Sequence, residues 1–431
     1  MSGAKVSALA LALGVVVSCT PAATAPMPAP RGPTTGVPTG PATGPSLDYY
    51  KKWSNGPNPS GDPNHFPIAV WMQDPSGLEN GSDGPLVGKA YQDIGIPVTL
   101  GMWDNEWWYL RQEALYRTGW SAYVSPAEVD TVLGDPAHAK NFVGYLVADE
   151  PDMQKVYGDV FHPEFQPSAV LRQANDVRAK DPTRPTYVNF GVWMGTPGGG
   201  VGYGYIEKTY EEDMRTYCSA ADIASADFYG WTHPDRDHRV GAYSYGQVVD
   251  IMRKWCGPDK PLYGFVETGH PHDKGGLITP DQMEQAVWNT IVHGATGINY
   301  FAHSFYADGR GEYASALTRP EISARLKEVN ARLRSLAPVL TGRNYPGVTV
   351  QSTNGIPVSL LHKVVQGKHY VVSQADGNAD HPGSGATKAE ITVPVRGGTA
   401  TVVDENRTVP IADGRIVDDF APYQAHVYRF G

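Results

Sequence analysis

Gly144-Tyr145-Leu146-Val147-Ala148-Asp149-Glu150-Pro151-Asp152 is an apolar run that ends abruptly in three acids around one proline. A run without polar alternation reads as a strand covered on both faces, the usual state of strands in a parallel sheet. The acids then fall where the strand stops. Seven other short runs have the same character: Phe66–Met72, Val98–Trp103, Ser121–Val124, Thr186–Phe190, Ile223–Tyr229, Leu262–Val266 and Gly297–Ala302. Counted with Val143–Ala148, they make eight candidate strands.

Helical stretches separate several of these runs. Ser125-Pro126-Ala127-Glu128 and Thr279-Pro280-Asp281-Gln282 each set a hydroxyl cap before a proline at the first helical position. The last crossover carries Ile322, Leu326, Val329, Leu333 and Leu336 at helical spacing, an apolar stripe to lay against a sheet. Eight strand–helix units in one continuous run predict an α/β fold closed as a (β/α)8 TIM barrel, ahead of a doubly wound open sheet. After about Gly342 the helices stop. Val348–Ser352, Val358–Val365, His369–Ala375, Glu390–Val395, Ala400–Val403 and Ala425–Phe430 read as strands of a small C-terminal antiparallel β-sandwich, broken by turn residues such as Asn378, Gly383 and Gly398.

The N-terminus has another logic. Lys5 precedes an apolar stretch from Val6 to Val17, too short to span a bilayer, followed by Ser18 and Cys19. Val16-Val17-Ser18-Cys19 resembles a bacterial lipobox, which implies acylation of Cys19 and anchoring at the outer face of the cell membrane. Cleavage after Ala23-Thr24-Ala25, giving a released protein, is the competing reading. Thr20 to about Ser46 is almost all Pro, Thr, Ala and Gly, a composition that cannot bury apolar surface and suits a tether. The expected organisation is a leader at 1–19, a tether at 20–46, a barrel at 47–341 and a β-domain at 342–431. With Cys19 set aside, Cys218 and Cys256 remain, as one disulfide of an exported protein or as two buried thiols.

Composition narrows the partners. With 45 acidic against 35 basic residues and no Lys/Arg-rich run, the chain is a poor match for nucleic acid or anionic membrane surface. Its 10 Trp and 24 Tyr suit sugar faces as well as cores. A monomer is expected, touching a membrane only through its anchor.

Active sites of such barrels sit where strands end and the following loops begin. Glu150 ends the fourth strand, and Glu267 ends the seventh in Tyr263-Gly264-Phe265-Val266-Glu267-Thr268-Gly269. An acid directly after a buried strand bears a desolvation cost. Glycosidic cleavage requires a carboxylic acid for the leaving oxygen and a carboxylate for the sugar cation, and strands four and seven face each other across a barrel mouth. The pair resembles that of the 4/7 superfamily of retaining glycoside hydrolases (clan A), over roughly residues 65 to 340. The resemblance implies Glu150 as acid/base, Glu267 as nucleophile, β-type bonds, retention of configuration and no cofactor. Many members have Asn-Glu at the fourth strand, whereas this chain has Asp149-Glu150-Pro151.

Asp149 and other strand ends supply candidate sugar contacts: Trp71, Trp103, Trp193, Asn189, Tyr229, His303 and, three residues past Glu267, His270; Trp107 and Trp108 belong to the same aromatic group. The resemblance implies that Tyr229 hydrogen-bonds the nucleophile. Gly198–Tyr205 is a glycine-rich loop without the Lys-Ser/Thr of a nucleotide site. His233-Pro234-Asp235-Arg236-Asp237-His238 and His270-Pro271-His272-Asp273 lack metal-ligand spacing, so no metal is expected. The rival functions are a non-catalytic carbohydrate-binding surface lipoprotein and an inverting hydrolase or transglycosylase. Carboxyl separation sets retention, at about 5–5.5 Å, apart from inversion, at ~6.5–9.5 Å.

Overall fold

Each of the eight apolar runs forms a strand: β1 (Ile68–Trp71), β2 (Val98–Leu100), β3 (Ser121–Val124), β4 (Phe142–Asp149), β5 (Thr186–Phe190), β6 (Ile223–Ala226), β7 (Leu262–Glu267) and β8 (Gly297–Phe301). All neighbours are parallel, and β8 pairs with β1 in the register Ile68↔Ile298, so the sheet closes. In the computed structural model the described residues are 40–75, 87–102, 108–157, 160–195, 207–234, 241–377 and 385–431. The leader with Cys19, most of the tether, Trp103, Trp107, the Gly198–Tyr205 stretch and Asp235–His238 lie outside them.

A helix follows every strand: α1 (Val87–Asp93), α2 (Trp108–Thr118), α3 (Val129–Gly134), α4 (Pro167–Lys180), α5 (Tyr210–Ala220), α6 (Tyr243–Cys256), α7 (Pro280–Val292) and α8 (Pro320–Ser335). The Thr279 hydroxyl accepts from the Gln282 N–H while Gln282 accepts from the Thr279 N–H, a reciprocal cap that starts α7. Ser125 caps only a 3-10 turn, Pro126–Glu128, that leads into α3. The α8 stripe is buried as its spacing requires, each side chain contributing about 1.5–3 kcal/mol of apolar burial. Cys218 at the end of α5 and Cys256 at the end of α6 are joined by a disulfide, with Cα atoms 5.1 Å apart.

The barrel interior is filled rather than hollow. Leu100, Tyr123, Leu146, Tyr187, Tyr263 and Phe265 pack inside it, and Tyr50 from a short helical turn closes the end where strands begin. Gly144 is required here, since a Cβ would stand 2.4 Å from the Tyr123 ring. Beyond the barrel lie eight antiparallel strands in two sheets: β9 (Thr349–Ser352), β10 (Val358–Val365), β11 (Lys368–Ala375), β12 (Thr387–Thr392), β13 (Gly398–Val402), β14 (Arg407–Ile411), β15 (Arg415–Phe420) and β16 (Ala425–Phe430). Their orders are β9-β12-β15 and β10-β11-β16-β13-β14, an arrangement built around the core of Val371, Ile391, Ile416 and Tyr428.

This β-domain is docked on α7. Asn289 donates to Gln374 at 3.0 Å, and Gln374 donates to the Gln285 carbonyl. His293 bridges Asp250 and Asp376, at 2.8 and 2.9 Å, and the two carboxylates outweigh burial to lift its pKa to about 9. The last residues of the expected tether are also held. Thr43 pairs with Asn344, and the Gly44 N–H donates to the Pro258 carbonyl. No helix among the described residues is long and apolar enough to cross a membrane.

Candidate active site

The register of β4, β5 and β6 sets the site. Asp149 lies opposite Asn189, and Asn189 lies opposite Ser225, so three polar side chains form one row at the strand ends. The β4–β5 register shifts between Leu146 and Ala148, an irregularity that re-aims the end of β4. Asn189 is almost fully buried and acts as a clamp. Its Nδ2 donates to Asp149 Oδ1 at 3.0 Å and to Asp227 Oδ1 at 3.1 Å, while its Oδ1 accepts from Ser225.

Asp149 and Glu150 are consecutive, and alternation along a strand would send them to opposite faces. They nevertheless line the same cavity, because Glu150 leaves the strand with φ at 41°, the left-handed region that non-glycine residues enter at a cost. Its N–H donates to the Asn189 carbonyl at 2.8 Å, and its carbonyl accepts from the Met153 N–H. Asp152 fixes the other side of the turn. Fully buried, it accepts from the Gly191 and Met194 N–H groups, both at 2.7 Å, and so caps the short turn Val192–Gly195. Gly191 lies flat against Glu150: a Cβ there would be 3.3 Å from Oε1.

The cavity at this mouth measures about 500 Å³. Asp149, Glu150, Asn189 and Asp227 form one wall; Trp71, Phe265 and Phe301 from β1, β7 and β8 form another, with Tyr229, His233 and His272 between. The Tyr229 hydroxyl donates to Asp227 Oδ2 at 3.1 Å. Glu150 and Asp227 are neighbours in this wall, and each bears on the other's affinity for a proton. Burial, followed by the charges of Asp227 and Asp149, raises the Glu150 pKa far above the usual carboxylate range. Burial raises Asp227 less, because Tyr229 and Asn189 donate to it. Asp149 is exposed at the cavity mouth; desolvation by the surrounding protein and then the charge of Asp227 push its pKa up to about 7. Of the three carboxyls, Glu150 is the one biased most strongly toward its protonated form.

Glu267 sits apart from this lining. Its side chain is 0 % exposed. Tyr245 donates to its carboxylate at 2.8 Å and Thr232 at 2.9 Å. Burial still lifts its pKa to about 7. The expected partner of Glu267, Tyr229, bonds Asp227 instead.

Of the sugar contacts expected from the sequence, Trp71, Asp149, Asn189 and Tyr229 meet in the cavity. Three do not. Trp193 is 0 % exposed and is not among the residues lining the cavity. His303 is buried against the Met72 carbonyl, and burial lowers its pKa to about 4. The His270 ring spans the carbonyls of Phe305 and Gly275, tying two loops together. Trp103 falls outside the described residues, as does the side chain of Trp108. Sequence reasoning passed over Asp227, His233 and His272 as lining residues. Asp227 carried the same signal as Glu150, an acid one residue past an apolar strand. Among the described residues no group of three or more His, Cys, Asp or Glu could hold a metal ion.

No family model matches this chain, and no curated protein matches it. Solved structures do. An Anoxybacillus alpha-amylase is 11% identical with a TM-score of 0.47, over 85% of this chain and 98% of that one. A Geobacillus thermoleovorans alpha-amylase complexed with acarbose is 13% identical with a TM-score of 0.47, over 85% and 98%. A GH30 endoxylanase from Clostridium papyrosolvens is 11% identical with a TM-score of 0.41, over 85% and 96%. Their names describe glycoside hydrolases of differing linkage, and such identities leave the chemistry of this chain to its own residues.

Proposed function

We propose that this chain is a glycoside hydrolase that cleaves β-type bonds of an oligosaccharide or polysaccharide with retention of configuration. The observation that carries the reading is the cluster of Asp149, Glu150 and Asp227 in an aromatic-lined cavity at the C-terminal mouth of the barrel, where burial and the neighbouring carboxyls raise the Glu150 pKa. A carboxyl kept protonated at neutral pH beside ionised carboxylates is the apparatus of general acid catalysis on a leaving oxygen. The departing proton leaves Glu150 as the base for the incoming water. Glu267, given the nucleophile's part by family resemblance, is occupied by Tyr245 and Thr232, and the proposal gives it the role of bracing the loop after β6. The anchored location implied by Cys19 is carried forward as part of the same proposal.

A panel of β-glucans, β-mannans, galactans, arabinogalactans and amino-sugar polymers, with reducing ends counted and the anomer followed by NMR, tests this directly. Turnover with the β-anomer as first product supports it; binding without turnover would make the chain a lectin-like lipoprotein. The pH profile gives a second check. Asp149 must be ionised, so kcat/KM should rise as pH rises through about 7. Glu150 must be protonated, so kcat/KM should fall only at alkaline pH. An optimum at pH ~4–5, where unperturbed carboxyls titrate, would contradict the assignment.

Gly191→Ala tests the packing behind Glu150. The added methyl presses on its Cβ, Cγ and Oε1 at 3.3–3.4 Å, and Gly191 lies outside the left-handed region, so the backbone tolerates alanine. The expected result is a several-fold fall in kcat with little change in melting temperature.

A further inference from the structure

We infer that the sugar at the cleavage point carries a 2-acetamido group, and that this group, rather than a protein carboxylate, is the nucleophile; the inference rests on the glycoside hydrolase reading. A two-carboxyl retaining reaction needs its second carboxylate across the sugar ring from the acid, about 5–5.5 Å away. The three carboxyls of the cavity do not flank anything. Asp149, Glu150 and Asp227 stand together on the wall made by β4, β5 and β6, clamped by Asn189. Asp149 and Asp227 accept from the same Asn189 Nδ2, so no ring lies between them, and Glu150 follows Asp149 directly in the chain. Opposite, the wall from β7, β8 and β1 presents Phe265, Phe301 and Trp71. The carboxylate belonging to that side, Glu267, is fully buried and taken by Tyr245 and Thr232.

The same layout meets the needs of a substrate that brings its own nucleophile, a route some glycosidases use. Such a reaction needs an acid and, immediately beside it, a carboxylate to hold an amide N–H. The left-handed turn at Glu150 brings the adjacent Asp149 and Glu150 into one cavity for that purpose. Asn189 holds Asp149 through Oδ1, which leaves Oδ2 to receive the amide. The Trp71, Phe265 and Phe301 rings give the acetamido methyl an apolar seat.

In the first step the acetamido carbonyl oxygen bonds to the anomeric carbon as the glycosidic C–O bond breaks. The Glu150 proton passes to the departing oxygen, and the oxazolinium N–H stays on Asp149. In the second step Glu150 takes a proton from water while the hydroxide adds to the anomeric carbon. The bond to the amide oxygen breaks, and the acetamido group is restored. Leaving group and acetamido group must be trans, which is the β-linkage of gluco- and galacto-configured sugars.

The full-length enzyme is assayed on β-N-acetylglucosaminides and β-N-acetylgalactosaminides, as aryl glycosides and as β-linked oligomers, against the 2-hydroxy counterparts of each. The ring-fused thiazolines of both amino sugars, stable analogues of the oxazoline, are added as inhibitors. The expected result is a kcat/KM at least ~100-fold higher for the acetamido series, competitive inhibition by a thiazoline, and a kcat lowered as the N-acyl group is fluorinated. Asp149→Asn should lower kcat on the acetamido series with little change in KM. Equal or faster cleavage of the 2-hydroxy glycosides, insensitive to thiazoline, would overturn this inference and leave the hydrolase reading standing. No cleavage in either series, nor on the polysaccharide panel, would remove both.

Discussion

Glu150→Gln should abolish measurable hydrolysis of unactivated glycosides, with a fall of about 10²–10⁴-fold in kcat, the usual worth of a positioned general acid. Gln keeps the shape and the left-handed turn at this position but has no proton to give. The loss should shrink on substrates with strongly acidic leaving groups, because their departure needs little protonation. That dependence on leaving group separates an acid from a residue that merely shapes the cavity. The same substitution should raise stability at pH 8. Glu150 has a pKa raised by the fold, so the folded state binds its proton more tightly than the unfolded chain does. Stability from that proton is present at low pH and is lost as pH rises from the unfolded value, about 4.3, through the folded one. A neutral Gln escapes the loss. A melting temperature unchanged or lowered at pH 8, with full activity, would remove Glu150 from the centre of the mechanism.

The second large effect belongs to Asp152. Asp152→Ala takes away the acceptor of the Gly191 and Met194 N–H groups inside a fully buried pocket. Each orphaned donor costs about 1–3 kcal/mol, and the deleted acceptor is charged, so a loss of at least 3 kcal/mol is expected. The damage should not stop at stability. Gly191 rests on Glu150, so kcat should fall even where the protein remains folded. Thermal melts and kinetics at 15 °C would separate the two effects. Asp152→Asn, which keeps one carbonyl acceptor, should recover part of each. Wild-type stability in the alanine variant would show that the turn is held by something other than this carboxylate.

The barrel was legible because it is written in composition. Runs such as Val143–Ala148 and Leu262–Val266 carry no charge and no polar alternation, and only a strand covered on both faces needs that. The β-domain was legible in part. The strands Arg407–Ile411 and Arg415–Phe420, one in each sheet, escaped notice because Pro410 and the pair Asp418-Asp419 mask their alternation. The site was legible to the level of strand ends and no further. Sequence places Glu150 and Glu267 at equivalent positions, yet their surroundings depend on residues far along the chain. Asn189 and Asp227 crowd around Glu150, whereas Tyr245 and Thr232 enclose Glu267. Which way an acid turns at the end of a strand is decided by these neighbours and by one backbone angle. Trp193 shows the converse: placed after a strand like a sugar platform, it is fully buried.

The point at which the N-terminal segment joins the body has a spatial meaning. Thr43 and Gly44 are fastened to Asn344 and Pro258, beside Pro67 and Thr296, the residues from which strands set out. The cavity opens at the other pole, where strands finish. Thr43 therefore joins the body at the pole opposite the proposed active site.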